Sequence, residues 1–120
     1  MAERAIIDAF AGWTRAWNDG NVEAYVDAYL DSPTARYVSG TTILHGKDKI
    51  AARCREKGVH GCLLTSDFEI SILGTNDAVV FAKFCLVARD DTRHAGVFTV
   101  HLTRLTDTSW KIVSDHSSAM

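Results

Sequence analysis

Trp110-Lys111-Ile112-Val113-Ser114-Asp115-His116-Ser117 is a β-prone stretch that opens with large apolar residues alternating with others. Side chains along a strand point to opposite faces in turn, so Trp110, Ile112, Ser114 and His116 share one parity and Lys111, Val113, Asp115 and Ser117 the other. Because Trp110 and Ile112 belong in a core, this count predicts His116 inward and Asp115 outward. It separates two neighbours that would otherwise look like a catalytic pair. Asp115 is then expected to meet Thr99, His101 or Lys83 on adjoining strands.

Three strand-like stretches precede this one: Leu63 to Leu73, Ala78 to Arg89 and His94 to Leu105. Their even positions carry Phe68, Ile70 and Ile72, then Val80, Ala82, Phe84 and Leu86, then Phe98, Val100 and Leu102. These form the expected core face, with Arg104 as a polar member. Asn76-Asp77, Asp90-Asp91 and Asp107-Thr108-Ser109 supply the turns, and a three-residue turn at the last site keeps even residues opposite even ones. The odd face mixes Val79, Phe81 and Val97 with Lys83, Thr99 and His101. Such a half-apolar surface suits a homodimer contact through the outer side of the sheet.

Further upstream the period changes. From Glu3 to Asp19, Ile6, Phe10, Trp13 and Trp17 recur at helical spacing, and Gly20 ends the helix. Asn21 caps a second helix carrying Val22, Tyr25, Val26, Tyr29 and Leu30, which Ser32-Pro33 stops. Arg36 to Ser39 and Thr41 to Leu44 read as a hairpin about Gly40. A third helix runs from Lys47 to Lys57, with Ile50 and Cys54 on one side and Gly58 as its stop. The order helix, helix, hairpin, helix, four-stranded meander is an α+β plan, in which helices cover one face of an antiparallel sheet. At 120 residues, the chain 1–120 supports one domain around one core.

Composition removes several functions. The thirteen Lys and Arg residues are scattered and the formal charge is −2, so no basic stripe is present to neutralise nucleic-acid phosphates. Met1 to Ile7 is not a basic segment leading into an apolar one, and no apolar run is long enough to span a bilayer. A soluble cytoplasmic protein without a membrane partner is expected. Cys54, Cys62 and Cys85 are odd in number and widely spaced, which disfavours a disulfide framework or a thiolate zinc site. His45, His60, His94 and His101 are dispersed, and neither a Gly-rich phosphate loop nor a Gly-x-Ser-x-Gly elbow occurs. No metal and no cofactor are expected.

Trp13-Thr14-Arg15-Ala16-Trp17-Asn18-Asp19-Gly20-Asn21 resembles the first-helix signature of the nuclear transport factor 2-like superfamily, also called SnoaL-like or ketosteroid isomerase-like. Gly46-Lys47-Asp48-Lys49-Ile50 is similar to its third-helix start, and Trp110 to Ser118 to its closing strand. The resemblance implies a cystatin-like cone: three N-terminal helices packed on a curved antiparallel sheet that encloses a pocket, often dimeric through the sheet's outer face. Members include isomerases, dehydratases, epoxide hydrolases, polyketide cyclases and proteins that only bind or assemble. At the places of the ketosteroid isomerases' tyrosine, aspartate base and deeper aspartic acid, this chain has Trp13, Ser39 or a neighbour, and His101 or Leu102. Tryptophan has no hydroxyl to share a proton and serine is no base at neutral pH, so that particular mechanism is disfavoured. The arginine and paired aspartates of the epoxide hydrolases are not recognisable.

The expected site follows from these readings. His116 is the candidate proton carrier, with Tyr37 or Tyr29 as hydrogen-bond partner; the alternative for His116 is a hydrogen-bonded core residue. Trp13, Trp17, Tyr29, Phe84, Val100 and Ser114 are the expected ligand-contacting residues, although most of the aromatic bulk belongs to the core. Arg104 and Arg36 would hold an acidic ligand or sit at the rim. Two functions remain. One is a cofactor-independent isomerase, dehydratase or cyclase acting on a small apolar or aromatic compound; the other is a non-catalytic ligand-binding or dimeric assembly domain. A carboxylate reaching the hollow would favour the enzyme.

Overall fold

The computed structural model describes residues 2–57, 61–106 and 109–119. Helix α1 spans Ala2–Asn18 and buries Ile6 and Phe10, the inner stripe of its apolar face. Gly20, at φ +72°, closes it: Asn21 N donates to Ala16 O at 2.9 Å and Gly20 N to Trp17 O at 3.0 Å, the paired bonds of a Schellman cap. The Asn21 side chain then accepts from Ala24 N and starts α2. This helix is shorter than its apolar pattern suggests, covering only Val22–Val26. Beyond it the backbone leaves the helix to join the sheet, where Leu30 N donates to Ile112 O and Ile112 N to Ala28 O, both at 2.8 Å. Tertiary pairing thus overrides helical spacing from Ala28 onward.

Strands β1 (Arg36–Ser39) and β2 (Thr42–His45) form the expected hairpin, with Gly40 at φ +58° in the turn. Helix α3 follows over Lys47–Lys57 and buries Ile50; its expected stop, Gly58, lies outside the described residues, as does His60. The meander is β3 (Cys62–Ile72), β4 (Asp77–Val87), β5 (Arg93–Thr106) and β6 (Ser109–Ala119). Asp107 and Thr108 of the expected last turn lie outside the described residues, and Ser109 already belongs to β6. All six strands make one sheet in the order β2-β1-β6-β5-β4-β3. Every pairing is antiparallel except β1 with β6, which is parallel. The early hairpin therefore extends the meander, and α3 enters after it rather than with the first two helices. The result is the α+β arrangement, with the core of Ile6, Phe10, Tyr29, Ile50, Val80, Val100, Leu102, Trp110 and Ile112 between helices and sheet.

Two irregularities decide which side chains face that core. In β3, Ser66 pairs with Lys83 and Glu69 with Phe81, so two residues oppose Ala82; Asp67 sits at φ 56°. In β6, Ser114 pairs with His101 but Ile112 with Leu102, leaving Val113 as one extra residue. A bulge of one residue reverses the facing of everything beyond it. On the N-terminal side of Asp67, Leu63 and Thr65 pair with Leu86 and Phe84 and share their inner face. On the C-terminal side of Val113, Asp115 pairs with Val100 and Ser117 with Phe98. The expected facing of the closing strand is thus reversed: Asp115 is buried at 8% exposure, whereas His116 is exposed opposite Thr99. Ser114 likewise shares the outer face with His101.

Gly96 lets the end of β6 lie close to β5. A Cβ there would run into the Ser118 carbonyl oxygen and come within 2.8 Å of Phe84 Cε1 and 2.9 Å of Ala119 Cα. Gly96→Ala is expected to lower stability by about 2 kcal/mol in urea denaturation, as overpacking does; an effect below about 0.5 kcal/mol would show that the two strands separate freely there.

Candidate functional site

Between α1, α2 and the inner face of the sheet lies a cavity of about 300 Å³. Helix α1 contributes Phe10, Trp13, Thr14 and Trp17, spaced three or four residues apart on one helical face. Tyr25 comes from α2, Tyr37 and Ser39 from β1, Phe84 and Leu86 from β4, Phe98 and Val100 from β5, and Asp115 and Ser117 from β6. The rings pack edge to face: Phe10 with Trp13 at 4.9 Å between centroids, Trp17 with Tyr25 at 5.0 Å. These contacts use the rings' edge-positive, face-negative charge distribution and hold the walls in place.

Asp115 is the one acidic side chain among the described lining residues. Tyr29 Oη donates to its Oδ2 at 2.9 Å, and Ser117 Oγ to its Oδ1 at 3.3 Å. Tyr29 is itself 2% exposed and stands behind the carboxyl rather than in the cavity wall. Its segment is held against β6 by the paired bonds around Ile112, which bring the phenol to the carboxyl. The parallel register places Tyr37 beside Asp115 and Ser39 beside Ser117, so four polar side chains meet at one end of a mostly apolar hollow.

Burial governs the electrostatics of this end. It pushes the Asp115 carboxyl up to about 6, against the hydrogen bonds from Tyr29 and Ser117 and the nearby His116, which act to lower it. Burial, reinforced by the Asp115 charge, raises the Tyr25 and Tyr29 phenols far above the ordinary range. It also raises Tyr37 and the Cys54 thiol of α3. Asp115 can therefore exchange a proton near neutral pH, while its phenolic and thiol neighbours stay protonated as hydrogen-bond donors.

Of the residues expected from sequence, Trp13, Trp17, Tyr37, Phe84 and Val100 line the cavity. Tyr29 backs it and Ser114 is on the far face. His116 is also outside, so it cannot reach a molecule in the cavity. Arg36 is engaged by the carbonyls of Pro33 and Ala35 at 2.8 and 2.9 Å, and Arg104 lies over the Trp110 ring at 5.6 Å. Asp115 does not meet Lys83, which faces Asp67 at 3.6 Å, or His101, which faces Asp77 at 3.0 Å. Of the lining residues that sequence reasoning missed, Asp115, Ser117, Leu63 and Thr65 lie beyond a bulge, whereas Thr14 and Ala28 are small side chains that the apolar spacing of the helical segments did not single out. No cluster of three His, Cys, Asp or Glu side chains suited to a metal occurs among the described residues, and no helix there is long and apolar enough to cross a membrane.

A helix-covered mixed sheet with an aromatic hollow and a buried carboxyl defines the class: an α+β protein of cystatin-like fold. The SnoaL-like domain model matches residues 6–120, and the chain belongs to that family, within the nuclear transport factor 2-like superfamily. An NTF-2-like protein of unknown function from Shewanella oneidensis MR-1 superposes with a TM-score of 0.89 at 27% identity, covering 98% of this chain and 99% of that one. A candidate scytalone dehydratase from Novosphingobium aromaticivorans gives a TM-score of 0.85 at 12% identity, covering 99% and 84% of the two chains. A ketosteroid isomerase-like protein from Erwinia carotovora atroseptica gives 0.78 at 16% identity, covering 98% and 95%. The last two likenesses speak for the fold alone. Comparison with curated proteins finds no match.

The raised carboxyl has a measurable consequence. Since the folded protein holds the Asp115 proton more tightly than the unfolded chain, stability falls as pH rises from about 4 through about 6 and is level above. The contribution is on the order of 3 kcal/mol. Asp115→Asn should lack this fall when denaturation midpoints are compared between pH 4 and 7.5. In Tyr29→Phe, which loses a bond to the charged form, the midpoint of the fall should move upward. Identical pH profiles for the wild type and Asp115→Asn would refute the assignment.

Proposed function

We propose that the chain is a pocket enzyme, a cofactor-independent isomerase, dehydratase or cyclase that acts on a small apolar or aromatic compound by proton transfer at Asp115. The observation that carries this reading is a buried carboxyl reaching an aromatic cavity with its proton poised near neutral pH. Asp115 takes the role that the strand's parity assigned to His116. Tyr29 positions it, and the hydroxyls of Tyr37 and Ser39, which bond each other, turn to a polar group of the substrate when it enters. The apolar walls exclude water and strengthen each of these contacts. A pure binding module has less support, because a ligand held only by shape gains nothing from a costly buried carboxyl.

Proton transfer to carbon is read directly by deuterium wash-in followed by NMR, using a panel of cyclic enones and small β-hydroxy ketones in deuterated buffer. The wild type should exchange protons next to the carbonyl of at least one compound about 10²-fold faster than Asp115→Asn. Its rate should rise with pH through about 6, where the carboxyl becomes a base. Equal exchange by the two proteins would end the proposal.

The outer face supports a second part of the reading, a homodimer. Phe81 and Val97 stand there at 44% and 52% exposure among Lys83, Thr99 and His101. Sedimentation equilibrium at micromolar concentration should give a dimer, and Phe81→Glu a monomer; a monomeric wild type would contradict it.

A further inference from the structure

We propose that the cavity takes an organic cation, a small apolar or aromatic frame whose ammonium or iminium group docks on Asp115 and the surrounding ring faces. The proposal rests on the reading of Asp115 and its cavity as the functional site and adds the charge of what enters.

The described residues that line the cavity include one acidic side chain and no Lys, Arg or His. Basic residues nearby are directed elsewhere. Arg55 makes a bidentate pair with Glu23 at 2.7 and 2.8 Å, Lys47 faces Asp27 at 3.6 Å, and Arg36 serves two carbonyls. Arg53 acts on Tyr37 and Cys54 from α3 without lining the hollow. A carboxylate or phosphate ligand would therefore meet Asp115 with no cation to hold it. When Asp115 is ionised, its hydrogen bonds come from two hydroxyls and its nearby positive charge only from His116 on the outer face, and a buried carboxylate so weakly compensated is costly. A cationic ligand removes that cost.

The walls favour the same sign. Phe10, Trp13, Trp17, Tyr25 and Tyr37 line the cavity, and an aromatic ring attracts a cation that comes over its face within about 6 Å, more strongly once water is excluded. A neutral ligand of equal shape receives the apolar contacts but neither of these attractions. Charge thus separates ligands that volume does not.

Three probes of one shape test this: choline, its uncharged carbon isostere 3,3-dimethylbutan-1-ol, and the anion 3,3-dimethylbutanoate. Binding is read from the fluorescence of the cavity tryptophans Trp13 and Trp17, with calorimetry as a check. At pH 7.5 the wild type should bind choline at least tenfold more tightly than the alcohol, and the anion most weakly. In Asp115→Asn, shown to be folded by near-ultraviolet circular dichroism, choline should come within threefold of the alcohol, whose own affinity is unchanged. The groups facing Asp115 are Tyr29, Tyr25 and Tyr37, with Cys54 from α3 and His116 beside it on β6. The phenols and the thiol stay neutral, so choline affinity in the wild type should drop about tenfold from pH 7.5 to 5 as Asp115 protonates, and His116→Gln should keep that drop with its midpoint moved upward, because His116 favours the charged carboxylate.

Equal or tighter binding of the alcohol or the anion by the wild type would overturn the cation proposal. So would a choline preference that survives Asp115→Asn. If the alcohol binds without charge preference while deuterium exchange still depends on Asp115, the cation inference alone fails. If no probe enters and no exchange occurs, both readings fail.

Discussion

The hydrogen bond from Tyr29 to Asp115 joins the two parts of the chain on which the site depends. It requires the segment after α2 to leave its helix and lie along β6, and it requires β6 to reverse its facing one residue after Ile112. Neither condition works alone. Without the bulge at Val113, the carboxyl would be outside the sheet; without the pairing of Ala28 and Leu30 to Ile112, the phenol would have no path to it. The two features share one place because β6 changes neighbour there, from the Tyr29 segment to β1.

That geometry sets the cavity's character. An aspartate surrounded by Val100, Tyr25 and Tyr37 has lost most of its water, and two hydroxyl donors recover only part of the lost solvation. The protein tolerates the group because the carboxyl can remain protonated in mildly acidic solution and because large aromatic side chains pack well around it. A site of this kind carries stability cost and chemical usefulness in the same side chain. The outer face, by contrast, holds His116, His101 and Lys83 in reach of solvent, where charge costs little.

Much of the architecture was legible. The stripe Ile6, Phe10, Trp13, Trp17 repeats at a spacing only a helix satisfies, and Gly20 and Asn21 perform the two backbone tasks for which their types are suited. Strands β4 and β5 follow strict alternation, and their even residues Ala78, Val80, Ala82, Phe98, Val100 and Leu102 belong to the core. Five of the eight residues singled out for the site line the cavity because aromatic bulk on the first helix and alternate apolar residues on central strands have few other places to go. The end of β6 was different. After Val113 the residues Ser114-Asp115-His116-Ser117-Ser118 contain no apolar side chain to choose a face, so nothing in the hydrophobic pattern beyond the inserted residue reports the reversal.

The amino-acid sequence by itself determined the caps at Gly20 and Asn21, the periodicity of the central strands, the α+β class and the aromatic wall, because each follows from local preference and from the need to bury apolar surface along one element. Tertiary structure decided which of two adjacent polar residues faces inward, where α2 stops, and how the early hairpin extends the sheet beside β6. These depend on pairing between segments as far apart as Tyr29 and Asp115, and a strand's facing is a property of its partners as well as of its own residues. A one-residue bulge costs little in a ladder and reverses every side chain beyond it, so the apparent Asp-His pair becomes a buried acid and a solvent-exposed histidine.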